Sequence, residues 1–292
     1  MQVLSVSSLK GGVGKTTVAL GLASAAFAKG LRTLVVDLDT QCDASTGLGV
    51  LGKSAGTVVD VLKNPRHGVV LDSIVSSSWA AGRAGRIDVM VGDVNCDVFD
   101  SPTPSARDIW KLEEALYRVE DDYDLVIIDT PPSLNGLTRT AWVASDRVLV
   151  VSELGIFSVG SVVRCMEAVE EMHADLNDRL ALAGVVINRV QNNFTEHEFR
   201  KAELVKTAQE MLLAVEIRDR AALQQAQGAA RPIHSWPGES AAEVSKNFED
   251  LLELVEASFA KETKRRTRDR KNRSLRGRPA KRKLFQRTPK DK

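Results

Sequence analysis

Near its start the chain carries Lys10-Gly11-Gly12-Val13-Gly14-Lys15-Thr16-Thr17. These types in this order suit phosphate chemistry. Glycines let backbone N–H groups turn inward without Cβ clashes, so that they can cradle phosphate oxygens. Gly11, Gly12, Val13, Gly14, Lys15, Thr16 and Thr17 are therefore candidate nucleotide-binding residues. Lys15 is placed to reach the β- and γ-phosphates and the Thr16 hydroxyl to ligate Mg²⁺. A helix starting at Thr16 would add its positive N-terminal end.

Two further runs end in carboxylates. Leu34-Val35-Val36-Asp37-Leu38-Asp39 reads as a strand with Asp37 and Asp39 at its tip, on one side of the strand because alternate residues share a face. Leu125-Val126-Ile127-Ile128-Asp129-Thr130-Pro131-Pro132 is an apolar strand ending in Asp, followed by a stiff Pro-Pro loop. A hard oxygen at Asp129 suits Mg²⁺ held through water. Asp39 suits the ion's outer shell and the orientation of an attacking water.

These residues need a scaffold that brings distant segments together. Strands are expected at 3–7, 33–37, 87–91, 125–129, 147–152 and 183–188, several of them apolar throughout, as strands buried on both faces are. Helices are expected at 16–29, 105–119, 135–144, 159–176, 195–213, 220–228 and 241–261. Residues 52–86 read as irregular, with a short helix near 57–63 and one possible strand. Strand–helix alternation implies an α/β fold, a doubly wound, mostly parallel sheet flanked by helices. Ligands of such sheets bind at the carboxyl ends of the strands. In the last helix, Val244, Phe248, Leu251, Leu252, Val255 and Phe259 recur at helical spacing. With acids on the opposite face, core packing is expected rather than membrane contact.

The glycine loop departs from the ordinary P-loop pattern: Leu9 stands where a glycine is required, and Lys10 precedes Gly-Gly. This resembles the deviant Walker A loop of the ParA/MinD family of ATPases, and most closely the ParA (Soj-like) members without an N-terminal helix-turn-helix domain. The likeness spans about residues 1–260, with Thr40 where the family usually has proline. It implies a P-loop NTPase-type fold and slow, Mg²⁺-dependent ATP hydrolysis. Catalysis would rest on Lys10, Lys15 and Asp39, and metal binding on Thr16, Asp39 and Asp129. Lys10 would reach across an ATP-dependent homodimer to the partner's nucleotide. Asn188, then Arg218 and Asp219, would contact adenine. The resemblance further implies nonspecific DNA binding, in part through body residues such as Arg200, Lys201, Lys206, Arg218 and Arg220. It also implies a ParB-like activator protein and a task in partitioning or positioning DNA or another cargo. The alternative within the family is a MinD-like membrane-cycling ATPase.

The 292 residues carry a net charge of only +1, which conceals a segregation. Residues 261–292 hold 16 Lys/Arg against 3 acids, a net of +13, and the rest of the chain is −12. The expected division is an ATPase domain at 1–262 and a basic, disordered tail at 263–292. Such a tail is commonly an electrostatic arm for nucleic acid, the alternatives being a solubilising segment or a contact with anionic membrane. Its core Arg276-Gly277-Arg278-Pro279 resembles an AT-hook, the minor-groove ribbon motif. Arg276, Arg278, Lys281, Arg282 and Lys283 are the DNA-binding candidates. No long apolar run spans a membrane, and no leader precedes the first strand. Scattered Cys42, Cys96 and Cys165 argue against a zinc site or disulfide framework. The expected location is cytoplasmic and nucleoid-associated.

Overall fold

The computed structural model describes residues 1–80, 85–191 and 195–275, with side chains described as far as residue 260 and not at Ala80. Eight strands form one sheet: β1 Gln2–Ser7, β2 Arg32–Asp37, β3 Ile74–Ser76, β4 Arg86–Met90, β5 Leu125–Asp129, β6 Arg147–Ser152, β7 Ala181–Val190 and β8 Leu212–Arg218. The ten α-helices among the described residues are α1 Lys15–Lys29, α2 Asp43–Gly47, α3 Val58–Lys63, α4 His67–Asp72, α5 Lys111–Tyr117, α6 Gly136–Val143, α7 Ser158–Asp175, α8 Thr195–Ala208, α9 Ala221–Gly228 and α10 Glu239–Leu275.

The strand order is β3-β4-β2-β5-β1-β6-β7-β8. All pairs are parallel except β3 with β4. Every residue of β5 and β6 is buried, as a strand covered on both faces requires. One apolar core lies under α1, α9 and α10, and the other under α3, α5, α6 and α7. The expected doubly wound sheet is thus the architecture found. Chain order reverses around β1, so the loop after β1 opens at the switch point where such sheets bind ligands.

Register decides what stands at the sheet's carboxyl edge. β2 pairs with β5 so that Asp37 lies opposite Asp129, and β5 pairs with β1 so that Asp129 lies opposite Val6. Both carboxylates and the loop from Ser8 onward therefore meet at one end of three adjacent strands.

Several boundaries differ from expectation. The helix expected to run to 213 stops at Ala208. A 3₁₀ turn with Gln209 at φ 47° follows, and then β8. Strong helix formers run through this boundary and conceal it, and pairing with β7 decides the outcome over local propensity. The helix expected at 105–119 is a 3₁₀ turn at Asp108–Trp110 followed by α5. Pro102 and Pro104 restrict its start.

The compact body ends at Phe259, and Ala260–Lys292 forms a separate unit. The backbone of α10 extends to Leu275, so 263–275 is helical where no structure was expected. No Gly or Pro interrupts it before Gly277, and extending an existing helix costs far less than starting one. The AT-hook-like core at 276–283 lies outside the described residues.

On the body, the apolar stripe of α10 is buried as expected, from Val244 to Phe259. Phe248 lies on α1 where Gly21 removes the obstacle: a Cβ at Gly21 would come within 2.2 Å of the Phe248 ring. In an exposed helix Gly→Ala gains about 1 kcal/mol. Here Gly21→Ala is expected to lower stability by about 1–3 kcal/mol through overpacking. Phe248→Ala is expected to lower it by about 3–5 kcal/mol. Chemical denaturation of the two variants measures both, and a more stable Gly21→Ala protein would refute this packing.

Candidate active site

The Gly11–Thr17 loop borders a cleft of about 580 Å³, also lined by Asp39, Asp97, Asp100, Pro131 and Pro132. Gly14 sits at φ 87° immediately before α1. A side chain there would be strained, and its Cβ would fall 2.3 Å from Asn188 Nδ2. Only glycine meets both demands.

Lys15 opens α1 and is 6% exposed. Burial lowers its pKa, while Asp129 and Asp39 favour the charged form. Thr16 Oγ1 donates to Asp129 Oδ2 at 2.7 Å. Asp129 is fully buried, and its Oδ1 has no hydrogen-bond partner. Burial first, and then Asp37, drive the Asp129 pKa well up.

Mg²⁺ fits this arrangement. It binds through one or two oxygen side chains plus phosphates and keeps several waters. Thr16 Oγ1 and the orphaned Asp129 Oδ1 would be the oxygens to hold the ion, directly or through water, and Asp39 lines the same cleft. Among the described residues no group of three or more His, Cys, Asp or Glu forms a metal cage. A phosphate-assisted site needs none.

Asp37 and Asp39 stand in different surroundings, Asp37 at the buried end of β2 and Asp39 at the cleft. Asp37 is buried, and its Oδ2 accepts from Ser45 N at 2.8 Å and Ser45 Oγ at 2.7 Å. Ser45 Oγ in turn accepts from Gly92 N at 2.9 Å. Asp37 thus ties α2 and the end of β4 to β2, while Asp39 alone enters the cleft.

Lys10 extends to Glu153, just beyond β6, and the two form an ion pair. Asn188 Nδ2 donates to Val13 O at 2.8 Å, and Arg189 Nη1 to Gly12 O at 2.6 Å. A small cleft beside them is lined by Thr17, Asn188, Arg218, Asp219 and Gln224, so the three residues expected at the base share one surface.

Sequence reasoning missed Glu153 and Asp100. Asp100 accepts from Ser133 Oγ at 3.2 Å, Asn135 Nδ2 at 3.3 Å and Leu137 N at 3.1 Å, bracing the loop after Pro132. Neither carries a local signal, because their partners lie 33 or more residues away.

Most basic body residues named as DNA contacts are engaged internally. Arg200 pairs with Glu196 and Glu203, Lys201 with Glu216, and Arg218 and Arg220 with Glu243.

A glycine loop between strand and helix, with lysine, threonine and a strand-end carboxylate around it, defines a P-loop nucleotide-binding protein. The AAA-domain family model matches residues 1–182. The chromosome partitioning protein ParA of Caulobacter vibrioides is 35% identical over 192 residues, covering 64% of this chain and 69% of that protein. An ATP complex of a Cyanothece McdA variant superposes with a TM-score of 0.75 at 20% identity, covering 87% of this chain and 96% of that one. Cobyrinic acid a,c-diamide synthase from Mycobacterium smegmatis, with bound ADP and magnesium, gives 0.67 at 24% identity, covering 84% and 93%. The chain belongs to the ParA/MinD family of P-loop ATPases.

Burial raises the Asp37 pKa from 3.8 to about 6. An acid with a raised folded-state pKa binds its proton more tightly when folded, so this group's contribution to stability declines as pH rises from about 3.8 to about 6. Asp37→Asn removes the buried charge and keeps an acceptor for Ser45. The nucleotide-free variant is expected to melt several degrees above wild type at pH 7.5, from an effect on the order of 2–3 kcal/mol. The gap should close towards pH 4. Identical melting at pH 7.5 would show that the charge is compensated by other means.

Proposed function

We propose that this protein is a ParA-type positioning ATPase that dimerises on ATP, binds DNA without sequence preference, and is reset by hydrolysis stimulated by a ParB-like partner. The observation that carries the reading is the convergence of Lys15, Thr16 and Asp39 on one cleft, with Asp129 buried behind Thr16 and Lys10 next in the chain to the cleft-lining Gly11.

In this reading Lys15 would neutralise the β- and γ-phosphates, and Thr16 and Asp129, already hydrogen-bonded to each other, would hold Mg²⁺. Mg²⁺ supplies charge neutralisation across the phosphates. Asp39 orients the attacking water. The Pro131–Pro132 loop, braced by Asp100, lines the same cleft and would respond to a γ-phosphate bound there. Lys10 exchanges Glu153 for the nucleotide of a second copy. Asn188, Arg218 and Asp219 receive adenine.

DNA binding is assigned to Arg276, Arg278, Lys281, Arg282, Lys283 and the rest of the +13 segment. The body is −12 overall, and Arg200, Lys201, Arg218 and Arg220 already face carboxylates. A cation paired with an acid has less charge to offer a phosphate. The apolar face of α10 is packed on the body. Among the described residues no helix is long and apolar enough to cross a membrane. The DNA reading is therefore preferred to the membrane-cycling one, with a cytoplasmic, nucleoid-associated location.

The test measures ATP turnover and DNA co-sedimentation together, with ATP and with ADP. Wild type is expected to hydrolyse slowly and to bind DNA better with ATP. Lys10→Ala should lose the ATP-dependent part of DNA binding, and Asp39→Ala should bind DNA with ATP and not turn over. Deleting residues 263–292 should weaken DNA binding and flatten its salt dependence. Equal DNA binding with ATP, ADP or no nucleotide would reject the nucleotide switch, and unchanged binding after deletion would reject the tail's role.

A further inference from the structure

The end of β7 reaches back to the phosphate loop in a way that the loop's own chemistry requires. A P-loop binds phosphate by turning successive backbone N–H groups inward. In a planar trans peptide the C=O of one residue points opposite to the N–H of the next. Inward N–H groups therefore leave outward carbonyls, and these need donors of their own.

Two consecutive residues provide them. Arg189 Nη1 donates to Gly12 O, which fixes the plane that carries the Val13 N–H. Asn188 Nδ2 donates to Val13 O, which fixes the plane that carries the Gly14 N–H. Arg189 does so from a left-handed backbone at φ 57°, a conformation that disfavours side chains other than glycine. Non-glycine residues held in such conformations concentrate at functional sites. Arg189 also lines both the phosphate cleft and the smaller cleft assigned to the base.

We propose that Arg189 is a positioning residue for phosphate binding: with Asn188 it holds the Gly12 and Val13 carbonyls outward, so that the Val13 and Gly14 N–H groups face the diphosphate. Because Asn188 spends only its Nδ2 on the loop, its Oδ1 is the acceptor left for the base, and the pair links base occupancy to cradle geometry. The proposal rests on the nucleotide-binding reading of this cleft.

The test compares ADP with AMP as probes, by calorimetry with Mg²⁺ on the full chain, for wild type, Arg189→Ala, Arg189→Gly and Arg189→Lys. Loss of a charge-assisted hydrogen bond predicts about tenfold weaker ADP binding in Arg189→Ala. AMP, which lacks the β-phosphate, should bind as to wild type. Arg189→Gly suits the left-handed backbone, so it should lose ADP affinity equally while folding at least as stably. Arg189→Lys, which can still donate to Gly12 O, should recover part of the loss. The ratio between wild type and Arg189→Ala should persist at high salt, because the bond is to a neutral carbonyl.

Equal losses for ADP and AMP would overturn the proposal in favour of a role at the base. A loss that vanishes at about 0.5 M salt would overturn it in favour of direct attraction between guanidinium and phosphate. No loss in either small variant would also overturn it. Failure of wild type to bind ADP would instead reject the nucleotide site itself.

Discussion

The site is organised around an ammonium group held out of water. Lys15 is buried where its charged form is penalised, and such a group persists only beside compensating charge. Asp129 and Asp39 supply it. Their positions follow from strand register, which sets Asp37 and Asp129 side by side at the carboxyl edge of the sheet. The same register creates the opposite difficulty: burial raises the pKa of both carboxylates, and Asp37 raises that of Asp129 further. Ser45 relieves Asp37 and Thr16 relieves one oxygen of Asp129. The remaining oxygens of both lack partners. A site left short of positive charge and of donors is suited to receive a hydrated cation together with its phosphates.

How much of this was legible in the sequence depended on distance along the chain. The phosphate loop, Asp39 and Asp129 were readable because each lies in a short segment whose neighbours carry the signal. The six expected strands share that property, several of them with continuous apolar runs because both faces are covered. β8 was not readable, since Leu212–Arg218 is a half-buried edge strand containing Glu216 and follows strong helix formers. Within residues 52–86 the short helix near 57–63 was legible, whereas α4 and the position of the one expected strand, β3, were not, because each is only a few residues long. Asp37 was legible as a strand-end carboxylate, but its bonds to Ser45 were not, because no local pattern links the strand end to α2. Glu153, Asp100 and the carbonyl contacts of Asn188 and Arg189 belong to no motif. They exist only once the sheet has placed loops from 33 to 177 residues apart against one another.

The phosphate loop is therefore held from more sides than its motif suggests. β1 and α1 fix its ends, Asp129 meets Thr16, Glu153 meets Lys10, and β7 grips Gly12 and Val13. Three of these contacts come from the carboxyl ends of different strands, β5, β6 and β7, which is how an open α/β sheet builds a site at its switch point. A change at any of these loops alters the cradle without touching phosphate. Asp100 has the corresponding place for the loop after Pro132: one carboxylate receives three donors, including the backbone N–H of Leu137 near the start of α6. Movement of that loop must break or carry this cluster, so its stiffness is a property of the 3₁₀ segment Val94–Phe99 and the residue following it as much as of the prolines.

Charge segregation bears on how nucleotide state and DNA binding would be coupled. A cation already paired on the protein surface contributes little attraction beyond its own acid, and salt weakens even that. With the named body arginines paired, the long-range field of the body is set by its excess of acids, whereas the C-terminal segment carries an unbalanced +13. On the proposed reading a monomer with one such arm would bind DNA weakly and without regard to nucleotide. A dimer would bring two arms to one DNA molecule, and the second contact would form at an effective concentration far above that of free protein. On the proposed reading, ATP need not reshape a DNA-binding surface at all. By bringing two copies together it would convert two weak, salt-sensitive contacts into one that endures, and hydrolysis would release both.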